Sequence, residues 1–391
     1  MQTDKFQTRD RILNRKNPTV DGYWICGIDI GYGGIKGFSP NKEYSVSSYL
    51  YKLIRGSADN RTADVQPTDI IYRDKDGDWA VGDFAYEMEN PRDPKTLDTK
   101  KVAKETRYLD KEFKIYFSVA MGLALLQNDE RQRTDERIMV QTGLPTKYLK
   151  MGHGRILRAG VQGKYDFDLK VGMNDYVHFE FEITPEQLFI VTQPQGALYS
   201  ACKDINGRDI PAGRDYMSQH TLVLDPGYFT TDFNGLNKCV PLDSESDSLE
   251  LGMHEVFSRA VKEINRQENV QVTIVEFRKA LATGNLEVYD FLSGSYTDID
   301  ISPYLEKASK EVCNEVLDNL MTSFQGLSLH KYLLVAGGTG AAWMPYISER
   351  FKNHRMTIVK CNQNDPQLNN VYSTARGFYF LLLDRIIASE Q

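Results

Sequence analysis

Two short segments of the chain share a pattern that could bind phosphate. Each has an apolar run followed by Asp, one variable residue, Gly and Tyr, at positions 29–32 and 225–228. About half of the 391 residues separate the two patterns, as expected if two similar domains each contribute one hairpin. Taken singly, either pattern is more often an ordinary β-turn, because short glycine motifs are common by chance. Their repetition favours a shared site in a cleft between the two domains.

The residue types in the hairpins suit a phosphate group accompanied by a divalent cation. Glycine lets backbone N–H groups approach an anion closely, because no Cβ intervenes. Lys36 lies seven residues after Asp29 and could reach back across the hairpin to a β- or γ-phosphate. Asp29 and Asp225 cannot bind phosphate directly, because like charges repel, so their use would be to hold Mg²⁺ through water molecules. The glycines concerned are Gly31, Gly33, Gly34 and Gly227.

A third glycine cluster has the sequence Gly-Gly-Thr-Gly at positions 337–340. It follows a predicted strand at 332–336 and precedes a helix predicted to begin near Ala341. A strand, a glycine turn and a helix N-terminus form a place where a flat ring or a phosphate lies against bare backbone. The cluster is neither a Walker A motif nor Gly-x-Gly-x-x-Gly, so it carries little weight alone.

Strands and helices are predicted to interleave along the chain. The predicted strands are 23–30, 35–38, 137–142, 188–192, 221–224, 229–233, 332–336 and 356–360. The predicted helices are 113–127, 196–205, 254–266, 274–282, 303–321 with Ser302 as its cap, and 372–387. Alternating apolar residues over 165–171 and 177–183 predict a hairpin. A hairpin is also favoured over a calcium loop around 74–78, because the twelfth position of such a loop is Ala85. The order indicates an α/β fold with mixed sheets.

The composition excludes several classes of protein. There are 47 Lys and Arg against 54 Asp and Glu, so the formal net charge of −7 argues against direct nucleic-acid binding, although DNA could be reached through a partner. No apolar run approaches the roughly 20 residues that span a bilayer, so no membrane role is expected. Residues 1–22 are predicted to be a polar arm and not a signal peptide. Five cysteines without a Cys-x-x-Cys pair fit free thiols in a reducing cytoplasm, and the six histidines lack the paired spacing of a metal site.

In their order along the chain, these motifs resemble the actin, heat-shock chaperone and sugar kinase superfamily. The resemblance runs from about Tyr23 to the C-terminus and includes Gly-Leu-Pro at 143–145 and Ala-Arg-Gly at 375–377. Within that superfamily the length, the compact middle and the segment 191–197 are most similar to prokaryotic actins, especially the ParM-type plasmid-segregation proteins. The fold implied is α/β, a two-domain actin-like ATPase fold with a nucleotide cleft between two related domains. Its parts would be the arm 1–22, a first domain 23–215 completed by the C-terminal helix 371–391, and a second domain 216–370.

The resemblance also implies roles for individual residues. Asp29 and Asp225 resemble catalytic aspartates that hold Mg²⁺ through water, and Gln195 falls where the family keeps a Gln or Glu that orients the attacking water. Pro226 departs from the apolar residue that is usual between Asp and Gly. The residues implied in binding ATP are Gly31, Tyr32, Gly33, Gly34 and Lys36 in the first hairpin, Gly227, Tyr228, Thr230 and Asp232 in the second, and Gly337, Gly338 and Thr339 at the adenosine.

The function implied is that of an ATPase that polymerises into dynamic, ATP-dependent filaments in the cytoplasm. Its partners would be further copies of itself and a DNA-binding adaptor protein that links the filament to plasmid DNA. An alternative is a small-molecule, sugar-type kinase of the same superfamily. Such a kinase needs a carboxylate base in its cleft, and the segment before the helix of Gln195 offers neither Asp nor Glu. A chaperone is disfavoured because no peptide-binding domain follows the ATPase-like part.

Overall fold

The computed structural model describes residues 3–59, 61, 63–88, 107–127, 136–238, 240–290 and 294–390. Helices and strands interleave throughout these ranges, as predicted. The strands are β1 (Arg11–Asn14), β2 (Tyr23–Ile30), β3 (Gly34–Phe38), β4 (Lys42–Ser47), β5 (Leu50–Leu53), β6 (Ile70–Asp74), β7 (Gly77–Val81), β8 (Arg137–Leu144), β9 (Gly163–Val171), β10 (Val177–Ile183), β11 (Leu188–Thr192), β12 (Thr221–Pro226), β13 (Thr231–Asn237), β14 (Val240–Leu249), β15 (Asn285–Asp290), β16 (Ser295–Asp300), β17 (Tyr332–Val335) and β18 (Thr357–Lys360).

The helices lie mostly between strands in the sequence. They are α1 (Asp83–Met88), α2 (Lys111–Leu125), α3 (Thr146–Lys150), α4 (His153–Val161), α5 (Gln193–Cys202), α6 (Pro211–Ser218), α7 (Met253–Gln267), α8 (Ile274–Ala280), α9 (Ser302–Ser323), α10 (Gly337–Arg350) and α11 (Ser373–Ser389). Within the described ranges, none of these helices is both long enough and apolar enough to cross a bilayer.

The internal repeat of the sequence corresponds to a repeated sheet. One sheet has the strand order β1-β4-β3-β2-β8-β11, and another has the order β14-β13-β12-β17-β18. In both, an antiparallel hairpin is extended on one side by a third antiparallel strand and on the other by two parallel strands. Asp29 faces Lys36 across the first hairpin, and Asp225 faces Asp232 at the equivalent position of the second. The two sequence patterns therefore occupy matching places in two related sheets.

Strand β2 is buried on both faces, which explains its nearly continuous apolar sequence. Trp24, together with Cys26 and Ile28, packs in the core that contains α2, whereas Ile25 packs with α11. A Cβ at Gly27 would lie only 2.3 Å from a carbonyl oxygen of α11, so glycine at this position is what allows the helix to approach. This close packing joins the C-terminal helix to the first repeated sheet.

Two smaller sheets complete the described fold. One has the order β10-β9-β6-β7-β5 and contains both hairpins predicted around residues 165–183 and 70–81. The other pairs β15 with β16. Four of the five cysteines are buried free thiols, and Cys239 lies outside the described residues.

Several elements begin at residues other than those predicted. Strand β13 begins at Thr231, two residues late, because the hairpin loop takes up the preceding positions. Helix α5 begins at Gln193, three residues early, because Thr192 caps it. Helix α10 begins at Gly337, about four residues early, so the glycine cluster forms its first turn. Ser302 lies inside α9 and is not its cap.

The N-terminal arm contacts both halves of the molecule. Strand β1 pairs antiparallel with β4 at the edge of the first repeated sheet. Phe6 is buried in the core formed by the second repeated sheet and its helices, and the hydroxyl of Thr3 donates to the carbonyl of Leu281 in the same half. Between these points, Ser47 donates its hydroxyl to the carbonyl of Thr8 at 3.0 Å. The arm therefore crosses from one half to the other.

Candidate active site

A cavity of about 460 Å³ lies where the two repeated sheets meet. Most of the predicted site residues line it, although they come from three distant parts of the sequence. Gly34 and Gln195 do not belong to the lining. The predicted residues that do are Asp29, Gly31, Tyr32, Gly33, Lys36, Asp225, Gly227, Tyr228, Thr230, Asp232, Gly337, Gly338 and Thr339.

The first hairpin presents a carboxylate and an amine to the cavity. A hydrogen bond of 3.1 Å from the backbone N–H of Gly31 to the carbonyl of Gly34 closes its turn. Asp29 and Lys36 occupy paired positions on β2 and β3, with 3.8 Å between Oδ2 and Nζ. At this distance the two groups attract each other without a direct hydrogen bond. Gly31 and Gly33 line the cavity, and without a Cβ they let an anion approach their backbone closely.

The second hairpin repeats this arrangement with an acidic residue in place of the lysine. The backbone N–H of Gly227 donates to the carbonyl of Thr230 at 2.7 Å and closes the loop. The hydroxyl of Thr230 donates to Oδ2 of Asp232 at 3.1 Å. Pro226 remains part of β12 and pairs with Thr231. The proline therefore preserves the hairpin despite its departure from the pattern of the resembling family.

Burial disfavours the ionised form of two carboxyl groups in the cavity. Burial, reinforced by the neighbouring carboxylates of Asp29 and Asp232, raises the pKa of Asp225 to about 7, and Lys36 offsets only part of this effect. Burial likewise raises the pKa of Asp232 to about 6. Acidic groups that lie close together in a protein interior are stabilised in their ionised form by a cation. The set of oxygen donors suits a hard divalent ion such as Mg²⁺.

The glycine turn is attached directly to the second hairpin. Gly337 has φ of +73°, and a Cβ there would lie 2.9 Å from Oδ1 of Asp225. The hydroxyl of Thr339 donates to the carbonyl of Gly227 at 3.1 Å. Asn370 holds the turn from the other side, because its amide donates to the carbonyl of Gly337 at 2.9 Å. The N-terminal N–H groups of the 14-residue helix α10 therefore border the cavity, where they favour an anion.

The structure places Gln193, and not Gln195, at the cavity. Gln195 gives its amide oxygen to the backbone N–H and the hydroxyl of Thr192, each at 3.0 Å, and so completes a capping box. Gln193 lines the cavity and donates from Nε2 to Oδ1 of Asp29 at 2.8 Å. The sequence Thr-x-x-Gln at 192–195 is itself a capping-box signature, and this signal could have identified Gln195 as a helix-capping residue.

The N-terminal arm contributes to the lining, which the sequence did not predict. Basic side chains of the arm face the cavity, namely Lys5, Arg9 and Arg11. Asp10 fixes the arm, because its carboxylate accepts from the backbone N–H groups of Ser47 and Asp83, each at 2.7 Å. One feature of the sequence that could have indicated a packed arm is Phe6, an apolar residue in a polar segment.

Two further arginines from distant segments border the same cavity. Arg107 lies 3.9 Å from the ring centre of Tyr32 and donates to the carbonyl of Ile30 at 2.9 Å. Arg278 is 3% exposed and packs against the ring of Tyr228 at 5.2 Å. Among the described residues, neither guanidinium forms an ion pair with a carboxylate. Both therefore add positive charge to a cavity that already has the features of an anion site.

No protein-family model matches the chain, and no curated protein sequence matches it. The structure is nevertheless similar to solved structures of actin-like filament proteins. The pCBH ParM, solved as a non-polymerisable quadruple mutant, matches with a TM-score of 0.68 and 19% identity, over 94% of this chain and 99% of that chain. A ParM subunit from a 15-stranded filament of Clostridium botulinum matches with a TM-score of 0.67 and 18% identity, over 92% and 99%. The archaeal actin homologue Ta0583 in complex with ADP matches with a TM-score of 0.63 and 17% identity, over 94% and 100%. The chain therefore has the two-domain actin-like fold that its motifs predicted.

Proposed function

We propose that the protein is an ATPase that assembles into ATP-dependent filaments. The observation that carries the proposal is the convergence of both Asp-x-Gly hairpins and the glycine turn of α10 on one cavity. Backbone N–H groups, a lysine and a helix N-terminus are groups that position a triphosphate and stabilise the charge that develops during its transfer. A solved structure with the same fold contains ADP.

Mg²⁺ fits the residues present at the cavity. Asp29 and Asp225 lie on the first strands of the two hairpins that meet at the cavity, and a cation there would stabilise the ionised form of Asp225, whose pKa is raised by burial. When bound, Mg²⁺ neutralises the charge of the β- and γ-phosphates. Asp29 and Asp225 would hold it through water molecules, as the resemblance to the actin superfamily implies. Lys36 lies beside Asp29 and is placed to contact the phosphates directly.

Gln193 is the residue that we assign to the attacking water. Its amide Nε2 is oriented by the hydrogen bond to Oδ1 of Asp29, while Oδ2 of that carboxylate lies 3.8 Å from Nζ of Lys36. The oxygen of a neutral amide can accept a hydrogen bond from a water molecule and so direct the water's lone pair without altering the charge of the site. We expected this role for Gln195, whose side chain is engaged with Thr192.

Self-association is supported by the fold, since solved structures with this fold include a ParM filament. A head-to-tail contact between identical subunits that does not close into a ring extends as a filament. Two domains around a shared ligand also provide open and closed shapes through which hydrolysis can weaken such contacts. The net charge of −7 disfavours direct contact with DNA. We therefore propose that a DNA-binding adaptor protein links the filament to a plasmid in the cytoplasm.

The test is assembly of the purified full chain. With ATP and Mg²⁺, light scattering should rise above a critical protein concentration and filaments should sediment, whereas ADP should give a weaker or shorter-lived signal. A protein that stays monomeric with ATP and Mg²⁺ well above micromolar concentrations would refute the assembly part of the proposal. Absence of ATP binding would refute the assignment of the cavity.

A sugar-type kinase is the second candidate, because Asp232 supplies the cavity with a carboxylate beyond those assigned to Mg²⁺. Such a carboxylate can take the proton of a substrate hydroxyl. Release of inorganic phosphate from ATP alone supports the ATPase, while turnover that requires an added polyol or sugar supports the kinase.

A further inference from the structure

Two histidines and a glutamate form a compact cluster outside the cavity. Nε2 of His220 lies 3.1 Å from Oε1 and 2.9 Å from Oε2 of Glu245. Nε2 of His330 lies 2.9 Å from the same Oε2. One ligand atom from each of the three residues lies within 4.8 Å of the other two. No local sequence pattern predicts this cluster, because the two histidines are 110 positions apart and the glutamate lies between them.

Neighbouring strands of the second repeated sheet bring the cluster together. His220 immediately precedes β12, and His330 lies just before β17, the parallel neighbour of β12. Glu245 comes from β14, whose pairing with β13 shifts register between Asn234 and Gly235. A Cβ at Gly235 would lie 2.1 Å from Oε2 of Glu245, so only glycine leaves room for this carboxylate to reach the histidines.

The cluster is shielded but still reachable. The side chains of His220 and Glu245 are 16% and 15% exposed, and that of His330 is 2% exposed. Nδ1 of His330 is buried without a hydrogen-bond partner among the described residues, so its ring is held by packing, including a contact with Phe324 at 6.0 Å between ring centres. One side of the cluster therefore faces solvent, and the other is fixed in the protein core.

The nitrogen–oxygen separations in the cluster are close to those around a small tetrahedral ion. Ligands about 2.0–2.1 Å from a zinc ion lie roughly 3.3 Å from one another. The observed nitrogen–oxygen separations of 2.9–3.1 Å need to widen by only a few tenths of an ångström to reach this spacing. Two imidazoles with one carboxylate are a donor set that favours Zn²⁺ and similar transition metals over Mg²⁺.

We propose that His220, Glu245 and His330 bind one transition-metal ion of the Zn²⁺ class, with water at the fourth position. This site is separate from the nucleotide cavity. His220 and Asp225 lie at opposite ends of β12, about 16 Å apart at 3.3 Å per residue. The ion connects β12, β14 and β17, so it should stabilise the second repeated sheet by binding the folded chain.

The experiment measures Zn²⁺ binding to the nucleotide-free full chain. The protein must carry no histidine tag and must be freed of metal with a chelator that is then removed. Titration against a chromophoric chelator should give one Zn²⁺ per chain, and Co²⁺ should give the visible absorption bands of a tetrahedral site. A large excess of Mg²⁺ should leave both signals in place. Zn²⁺ should also raise the thermal unfolding midpoint.

Three variants make the test specific. Glu245→Gln and His220→Asn each remove a metal ligand but keep a polar side chain that can form hydrogen bonds, so Zn²⁺ binding should weaken by at least tenfold, while the thermal unfolding midpoint without metal shows whether the variant is folded. His178→Asn is the matched control, because His178 contacts the carboxylates of Asp168 at 2.9 Å and Asp166 at 4.0 Å through different ring nitrogens, so these described residues do not bring three ligand atoms to one point. Its affinity for Zn²⁺ should equal that of the parent.

Several outcomes would overturn the proposal. The absence of saturable binding at one ion per chain would show that the cluster is a hydrogen-bonded group only, and equal affinity in the parent and Glu245→Gln would place the ion elsewhere. Displacement of Zn²⁺ by Mg²⁺ would point to the carboxylates of the cavity. None of these results depends on nucleotide binding or assembly, so they test the metal site independently of the proposed ATPase function.

Discussion

Gln193 donates its side-chain amide to Asp29, with 2.8 Å between Nε2 and Oδ1. Gln195, only two residues further along α5, gives its amide oxygen to Thr192. The two glutamines have different contacts because positions two residues apart in a helix are rotated by about 200° around its axis and so point to nearly opposite sides. One side chain therefore reaches the cavity, and the other closes the helix N-terminus.

This relationship predicts opposite effects for two similar substitutions. Gln193→Ala should lower ATP hydrolysis, by about 100-fold, because the attacking water loses its orientation, while ATP affinity should stay near that of the parent. Gln195→Ala should instead lower the free energy of unfolding by about 1 kcal/mol, because the capping box is lost, with turnover nearly unchanged. Phosphate release, ATP affinity and urea unfolding on the same preparations decide between them. The reverse pattern would return the catalytic role to Gln195.

Gln193→Ala should change how long the filaments last without changing how readily they form. If hydrolysis makes the filaments labile, Gln193→Ala should assemble with ATP as readily as the parent and disassemble more slowly. Filament lifetime after dilution measures this directly. Equal lifetimes in parent and variant would show that hydrolysis does not control disassembly.

Replacing either cavity aspartate should impair hydrolysis with Mg²⁺. Asp225→Asn keeps the size of the side chain but removes the charge that helps to hold the ion, so turnover should fall on the order of 100-fold. Asp29→Asn should have a similar effect. Asp166→Asn is the control, because that carboxylate is 81% exposed and lies away from the cavity lining. Unchanged turnover in both cavity variants would contradict the assignment of the Mg²⁺ site.

Gly337→Ala tests whether the glycine turn must lie against the second hairpin. The substitution places a Cβ 2.9 Å from Oδ1 of Asp225 and forces a non-glycine residue to adopt φ of +73°. Gly22→Ala carries the same backbone cost, at φ of +82°, but no atom lies within 4 Å of the added Cβ. Both variants should lose roughly 1–2 kcal/mol of stability, and only Gly337→Ala should also lose ATP affinity. Equal ATP affinities would show that the turn does not border the nucleotide.

Asp10 should make the attachment of the N-terminal arm sensitive to pH. Burial, followed by the nearby carboxylate of Asp83, raises the pKa of Asp10 well above its usual value, although backbone N–H groups of Ser47 and Asp83 partly oppose the shift. Between the unfolded pKa of about 3.9 and the higher folded pKa, the native state holds a proton that the unfolded chain releases. Stability contributed by Asp10 is therefore greatest at acid pH and falls as the pH rises through this window.

The measurement compares the parent with Asp10→Asn by denaturant unfolding from pH 4 to pH 7. The parent's stability relative to the variant should decrease as the pH rises, since the variant cannot ionise. Asp166→Asn, at an exposed position, should show no such trend. A relative stability that increased with pH would mean that the hydrogen bonds to Asp10 outweigh its burial.

Local chemistry in the sequence was enough to predict many of the residues that line the cavity. The patterns around Asp29 and Asp225 predict hairpins because Asp-x-Gly after an apolar run favours a tight turn whatever surrounds it. Their spacing predicts a repeat, and the structure confirms it as two sheets with matching strand order. Strands β2 and β11 have the predicted bounds. For β2 the reason is that a strand buried on both faces has a nearly continuous apolar sequence.

Other features depended on how distant segments pack, and no local pattern encodes that. The local sequence Thr-x-x-Gln marks Gln195 as a capping residue, but the contact of Gln193 with Asp29 depends on where the tertiary structure places α5 relative to β2. The arm was predicted to be polar, yet its residue Phe6 is buried in the hydrophobic core formed by the second repeated sheet and its helices. His220 and His330 lie close together because β12 and β17 are neighbours in a sheet. Which strands become neighbours depends on the packing of the whole fold and not on the residues adjacent to each histidine.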